Sequence, residues 1–222
     1  MSKLWWMVQK DLVSELRTGL VWPPMCLFGL LVAAVFSFQM ELLADQRIQI
    51  AGGLLWLATV FAGMLVLDRT FAAEREEGCW HAMKLYPVSA TMIYFAKFAV
   101  NVITLAIIQL ILIALFVFVA DIPLFKHPWA MLSVAVLGNL GIASAGTILS
   151  ALGLGIRGNS GLLSLLILAV VIPVVIAAAE ATRLICTDDL GDMWRRWIHL
   201  LVVFVLVFIS AGAALIDFIV EE

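Results

Sequence analysis

Long apolar segments alternate with short polar ones along most of the chain. Residues 21–40 and 48–67 contain no charged side chain, and twenty helical residues cover roughly 30 Å, the thickness of a bilayer's hydrocarbon core. Four further apolar segments occupy residues 92–120, 129–156, 160–180 and 197–217. The pattern predicts an all-α polytopic membrane protein, with residues 1–222 forming a single transmembrane domain of six membrane-spanning helices.

Residues 1–19 show a different, amphipathic pattern. Apolar side chains recur every four residues, at Leu4, Val8, Leu12 and Leu16. Basic side chains recur every seven residues on another face, at Lys3, Lys10 and Arg17. Trp5 and Trp6 favour a helix lying in the membrane interface over an amphipathic helix on a soluble surface.

The distribution of basic residues predicts the orientation in the membrane. Six spans place both termini on one side, and if that side is the cytoplasm, eight Lys and Arg residues are inside and five outside. The inner residues are Lys3, Lys10, Arg17, Arg69, Arg75, Lys84, Lys97 and Arg157; the outer ones are Arg47, Lys126, Arg183, Arg195 and Arg196. The positive-inside rule therefore favours cytoplasmic termini, with Lys97 extending its amine to the interface.

The polar segment at residues 68–91 separates the second and third spans. Residues 68–97 contain four acidic and four basic side chains. Residues 72–77 are mostly good helix formers, Gly78 is a natural helix stop, and Pro87 breaks the helix before the next span. The segment is predicted to form a cytoplasmic surface helix, which a separate ATPase could contact to move the membrane domain. A merely solvated loop is the alternative.

Small and polar residues share one stripe of the fourth span, at Asn139, Ala143, Gly146, Ser150 and Gly153. Small side chains let helix backbones approach closely in lipid, so the stripe is interpreted as a helix-packing surface. A substrate path is the alternative. In the third span, Asn101, Thr104 and Gln109 are likewise expected to face the bundle.

Composition narrows the chemistry further. The chain is 64% apolar and 13% charged, about half the roughly 25% of charged residues in globular proteins. A net charge of −3 without blocks of like charge gives no indication of nucleic-acid binding. No nucleotide-binding P-loop sequence occurs, and the G-x-G-x-x-G at residues 153–158 lies between two spans rather than in a βαβ unit. No metal site is predicted, since only Glu77 and His81 have ligand-like spacing.

One catalytic alternative exists. Residues 158–161 (GNSG) resemble the serine motif of rhomboid intramembrane proteases, with His199 as the candidate base. The predicted topology places Ser160 and His199 at opposite ends of their spans, roughly 30 Å apart. A serine and its base must come within hydrogen-bonding distance, so the protease interpretation is disfavoured.

Several segments together resemble the cytochrome c maturation protein B family (CcmB), permeases of the broader ABC-2 export type. In the first half these are residues 53–58 (GLLWLA), 67–71 (LDRTF), 74–78 (EREEG), 85–87 (LYP) and 96–97 (AK). In the second half they are residues 152–155 (LGLG), 157–158 (RG), 161–163 (GLL) and 172–174 (IPV). The chain departs from the family pattern in its glutamate-rich acidic stretch and in lacking a proline shortly before Ile172.

The resemblance implies a non-catalytic permease subunit in the bacterial inner membrane. It implies an ABC ATP-binding partner, a haem-handling C subunit, a small D subunit and a second copy of this chain within the lipid. ATP would bind the partner, and haem would be a transported or handled ligand, with no cofactor held by this chain itself. Coupling to the ATPase would involve Asp68, Arg69, Phe71, Glu74, Arg75, Glu76, Glu77, Gly78, Leu85 and Pro87. The function implied is haem export, or release of a haem-loaded chaperone; an ABC-2 exporter of lipid, polysaccharide or drug is the alternative.

Overall fold

A computed structural model describes residues 3–18, 22–38, 44–71, 89–120, 122–153 and 160–221. All regular secondary structure in these ranges is helical. In chain order the helices are α1 (Lys3–Thr18), α2 (Trp22–Phe38), α3 (Ala44–Leu67), α4 (Ala90–Ala120), α5 (Pro128–Leu152), α6 (Ser160–Cys186) and α7 (Asp192–Glu221).

Five of these helices, α3 to α7, are long and apolar enough to cross a membrane. The apolar stretches are Gln46–Leu67, Ala90–Phe118, Pro128–Leu152, Leu163–Cys186 and Asp192–Ile216. Helix α2 is uncharged but has 17 residues, about 26 Å at the rise of an α-helix. The protein is thus a multi-pass helical membrane protein, and its sixth span remains a prediction.

The boundaries of the last two helices differ from the sequence-based prediction. Helix α6 continues past residue 180 to Cys186, and α7 begins at Asp192 rather than near residue 197. The charged residues are accommodated within the helices: Arg183 Nε donates to Glu180 Oε2 at 2.9 Å, one turn away. Asp192 lies at the N-terminus of α7, where a negative charge is favourable. The connection between the two helices is therefore residues 187–191, shorter than the residues 181–196 that separate the predicted spans.

Hydrogen bonds between helices show which helix ends lie together. Ser150 near the end of α5 donates to the carbonyl oxygen of Leu67 at the end of α3. Ser164 in the second turn of α6 donates to Asp68. At the opposite end of the bundle, Lys126 lies 3.0 Å from Asp188. We call these the Asp68 end and the Asp188 end.

Helix α5 forms the centre of the bundle. Every residue from 141 to 151 is buried, and the helix packs against α3, α4, α6 and α7. A Cβ atom at Gly138 would overlap the Trp56 ring, and one at Gly146 would overlap the Leu67 side chain. These glycines therefore set how closely α3 and α5 approach.

Candidate functional site

The C-terminus of α3 passes into a hydrogen-bonded turn, residues 68–71, which we call the α3 exit. The Asp68 amide donates to the Met64 carbonyl at 2.9 Å, and the Arg69 amide donates to the Val66 carbonyl at 3.0 Å. The Thr70 amide completes the turn by donating to Leu67. The exit thereby satisfies backbone carbonyls that a helix terminus leaves unpaired, which holds its side chains in place.

Asp68 points its carboxylate toward α6. Ser164 Oγ donates to Asp68 Oδ2 at 2.7 Å, while Oδ1 is shielded from solvent and has no hydrogen-bond partner among the described residues. Burial raises the pKa of Asp68 above its ordinary value, and the Ser164 hydrogen bond partly opposes that rise. The carboxylate therefore links the α3 exit to α6 while remaining incompletely paired.

Thr70 links the same exit to α4 and α5. Its Oγ1 lies 3.1 Å from Asn101 Oδ1 on α4. Asn101 Nδ2 in turn donates to Thr147 Oγ1 on α5 at 2.8 Å. All three side chains are buried, so a chain of hydrogen bonds crosses three helices inside the apolar bundle.

Lys97 lies inside the protein instead of extending to the interface, so that prediction was wrong. Only 7% of its side chain is exposed, and Nζ lies 2.9 Å from Asp11 Oδ2 on α1. The amine also lies 5.7 Å from the centroid of the Phe71 ring, within range of a cation–π interaction. Helix α1 covers this face of α4, which is why the amine meets a carboxylate rather than water.

The apolar face of α1 packs against protein. Val8 is buried against Ala96 and Val100 of α4. Leu4, Met7 and Leu12 extend the same contact. The adjacent Trp5 and Trp6 side chains are 52% and 64% exposed. The four-residue spacing thus marks a helix–helix contact, with the tryptophans left on the outer surface.

The predicted coupling residues divide between described and undescribed parts of the chain. Asp68, Arg69 and Phe71 belong to the α3 exit, where Phe71 is buried and Arg69 is exposed. Glu74, Arg75, Glu76, Glu77, Gly78, Leu85 and Pro87 lie outside the described residues. Their coupling role stays a prediction.

All five residues of the predicted packing stripe are buried. Asn139, Ala143, Gly146 and Ser150 lie in α5, and Gly153 follows its last turn. Asn139 Nδ2 donates to Gln109 Oε1 on α4, and Ser150 donates to α3. Neither Thr70 nor Thr147 was predicted as a site residue, because the spacing of their hydroxyls along the sequence does not indicate that Asn101 lies between them.

The protease pair is separated. Helix α6 begins with Ser160 at the Asp68 end, whereas His199 lies in the second turn of α7, close to the Asp188 end. Among the described residues no three His, Cys, Asp or Glu side chains are grouped to hold a metal ion. Glu77 and His81, the spacing considered for a metal, fall outside those residues.

The Asp188 end carries its own charged cluster. His127 Nε2 lies 2.6 Å from Asp188 Oδ1, and Lys126 Nζ lies 3.0 Å from Oδ2. Hydrogen bonds from His127 and then Lys126, with the positive charge of Lys126, lower the pKa of Asp188. The cluster joins the α4–α5 turn to the α6–α7 turn.

The long apolar helices make the chain a multi-pass helical membrane protein, and a buried polar network lies where its longest predicted polar segment begins. Comparison with known proteins identifies the family. The model of the family described as CcmB protein matches residues 2–217, and the chain belongs to this family. The resemblance read from the sequence is confirmed.

Three known proteins are similar to this chain over at least 70% of its length. Heme exporter protein B of Rhodobacter capsulatus is 28% identical over 177 residues, covering 80% of this chain and 81% of the relative. The protein of the same name from Paracoccus denitrificans is 26% identical over 174 residues, covering 78% and 79%. That from Pseudomonas aeruginosa is 26% identical over 156 residues, covering 70% of each chain.

Proposed function

We propose that this chain is the membrane subunit of an ATP-driven haem exporter that serves cytochrome c maturation. The observation that carries the proposal is the family match over residues 2–217, together with relatives named heme exporter protein B. The sequence has no nucleotide-binding P-loop, so an ABC ATP-binding subunit supplies the hydrolysis. This chain converts the motion of that subunit into haem export or into release of a haem-loaded chaperone.

The chain works in the bacterial inner membrane with six spans and both termini in the cytoplasm. Helix α2 provides the first span, with local thinning of the bilayer or extended flanking side chains accommodating its 17 residues. Two observations support this orientation. Eight of the thirteen Lys and Arg residues fall on the cytoplasmic side, and α1, with Lys10 and the exposed Trp5, lies at the Asp68 end.

The ATP-binding subunit contacts the segment at residues 68–91. The α3 exit supports that role because its side chains contact two neighbouring helices: Asp68 bonds to Ser164 on α6, while Thr70 and Phe71 contact α4. A displacement of the segment reaches the bundle through this exit and through its other end, which leads into α4 at Ala90. The acidic residues Glu74, Glu76 and Glu77 would give the contact its charge complementarity.

The complete assembly contains further subunits. It holds two copies of this chain and two of the ATP-binding subunit, with a haem-handling C subunit and a small D subunit. Haem is handled within that assembly, and no haem ligand is assigned to this chain.

Affinity purification of the tagged full-length chain from its own membranes tests the proposal. The expected result is stoichiometric recovery of an ABC ATP-binding subunit together with haem-handling proteins. Recovery of an ATPase whose only associated proteins handle lipid, polysaccharide or drugs would contradict haem export and support another ABC-2 exporter. Recovery of no ATPase would contradict the permease assignment.

A further inference from the structure

A buried hydrogen-bonded chain joins three helices at the Asp68 end; we call Thr70, Asn101 and Thr147 the Asn101 relay. Thr70 Oγ1 shares its single proton between Asn101 Oδ1 at 3.1 Å and the Val66 carbonyl of α3 at 3.3 Å. Asn101 Nδ2 donates to Thr147 Oγ1 at 2.8 Å. The three residues are 8%, 1% and 0% exposed. Because water has little access to these side chains, a hydrogen bond lost between them would not be replaced by one to water.

The direction of these hydrogen bonds fixes the central side chain. Thr147 Oγ1 donates its single proton to the Ala143 carbonyl at 2.6 Å, so toward Asn101 it can only accept. The amide nitrogen of Asn101 must therefore face Thr147, which turns its oxygen toward Thr70. A carboxylate or an apolar side chain at position 101 would leave the Thr147 acceptor without its donor.

Contacts beside the relay hold the same elements together. Ser150 Oγ donates to the Leu67 carbonyl at 2.7 Å, one residue before the α3 exit. Gly146 lies directly against the Leu67 side chain, with no room for a Cβ between them. These contacts hold the last turn of α3 against the second half of α5. The hydrogen bonds of Asn101 attach α4 to both.

We propose that Asn101 is a positioning residue that makes the α3 exit, α4 and α5 move as one unit. A displacement at the exit then reaches the centre of the bundle through Thr147, not through the backbone of α3 alone. The inference rests on the proposed function, which places the driving contact at residues 68–91. It adds the path by which this chain converts that contact into motion of its spans.

The test uses the complete assembly in a strain that lacks the chromosomal copy of the gene. Thr147→Val keeps the shape of the side chain and removes both hydrogen bonds, whereas Thr147→Ser keeps the hydroxyl. Asn101→Leu removes the centre of the relay. Thr59→Val is the matched control, since among the described residues the buried Thr59 hydroxyl bonds only to Leu55 of its own helix.

Three quantities are measured for each variant: recovery of the ATP-binding subunit with the chain, ATPase activity of the purified assembly, and holo-cytochrome c yield at equal expression. Thr147→Val and Asn101→Leu are expected to lower the yield at least about fivefold, the lower end of typical coupling between sites. Subunit recovery and ATPase activity should stay at the unaltered protein's level. Thr147→Ser and Thr59→Val should keep the yield.

Other results would overturn the relay. An unchanged yield in Thr147→Val would show that the α3 exit acts without it. If Thr147→Val lost subunit recovery as well as holo-cytochrome c yield, the Thr147 hydroxyl would contribute to stability alone. An equal loss of yield in Thr59→Val would lead to the same conclusion. In each case the unaltered gene still restores holo-cytochrome c; its failure to do so would instead contradict the proposed function.

Discussion

The Lys97 ammonium and the Asp11 carboxylate form an ion pair that attaches α1 to α4, with Nζ and Oδ2 2.9 Å apart. The two side chains are 7% and 15% exposed. Asp11 also lies 3.6 Å from Lys10, whose side chain is 71% exposed. The two lysines therefore offer a shielded and a solvated partner for the same carboxylate.

Removing the buried Lys97–Asp11 ion pair should loosen the packing of α1 against α4. Asp11→Asn removes the charged partner of the buried Lys97 amine, which we expect to lower the free energy of unfolding by about 1.5–3 kcal/mol. Thermal denaturation in detergent gives that difference. Cysteine labelling at Val8, buried against α4 in the intact protein, reports whether α1 detaches.

The exposed lysine provides the control for that pair. Lys10→Met should change stability by less than about 1 kcal/mol, as for other solvated ion pairs. It should leave position 8 protected from labelling. Equal effects of Asp11→Asn and Lys10→Met on stability and labelling would show that burial of the Lys97–Asp11 pair does not stabilise the attachment of α1.

Gly53 in α3 and Gly146 in α5 should respond to alanine in opposite ways. At Gly146 a Cβ would overlap Leu67, so Gly146→Ala is expected to destabilise by about 1–3 kcal/mol through overpacking. At Gly53 in α3 no atom of the described residues outside its own helical backbone lies within 4 Å of a Cβ. Gly53→Ala should therefore stabilise by roughly 0.5–1 kcal/mol through helix propensity. Unfolding midpoints measured in one detergent decide the comparison; the same sign for both would contradict the packing described.

The Asp188 cluster predicts an acid-dependent contribution to stability. Its folded-state pKa is lowered from 3.8 by His127 and Lys126, so the stabilisation is present above 3.8 and is lost as pH falls through the lowered value. Asp188→Asn removes the charge while tolerating the left-handed backbone at φ 65°. The variant should unfold at a lower temperature at neutral pH, and the difference should close in strong acid. A difference independent of pH would contradict the ionic origin.

Charge reversal in the predicted coupling segment tests the contact with the ATP-binding subunit. Glu74, Glu76 and Glu77 changed together to lysine should reduce its co-purification through loss of complementary charge. Membrane insertion should be unaffected. Reversal of Asp189 and Asp192, at the opposite end of the bundle, should leave co-purification intact. Recovery at normal levels from the triple variant would argue against the coupling role.

Helical class and most spans could be predicted because hydrophobic length alone determines them. The end of α6 could not, since Glu180 and Arg183 neutralise each other within the helix and allow it to continue. The start of α7 could not either, since Asp192 and Arg195 pair within its first turn. Lys97 was misplaced for a similar reason: its partner Asp11 is 86 positions away in the chain. Pairings at that separation leave no trace in local periodicity.

The packing stripe illustrates what spacing can and cannot indicate. Small residues at helical intervals placed Asn139 and Gly146 on one face of α5, and both are buried. The bond from Asn101 to Thr147 depends on the relative rotation of α4 and α5. A single sequence does not specify that rotation, so the relay emerged only from the structure.

Production of holo-cytochrome c in a clean deletion of this gene decides whether the chain serves haem export for cytochrome c maturation. We expect c-type cytochromes to lose their covalent haem while their apoproteins are still made. A plasmid copy of the unaltered gene should restore them. Normal holo-cytochrome c in the deletion strain would contradict a role for this chain in haem export for cytochrome c maturation.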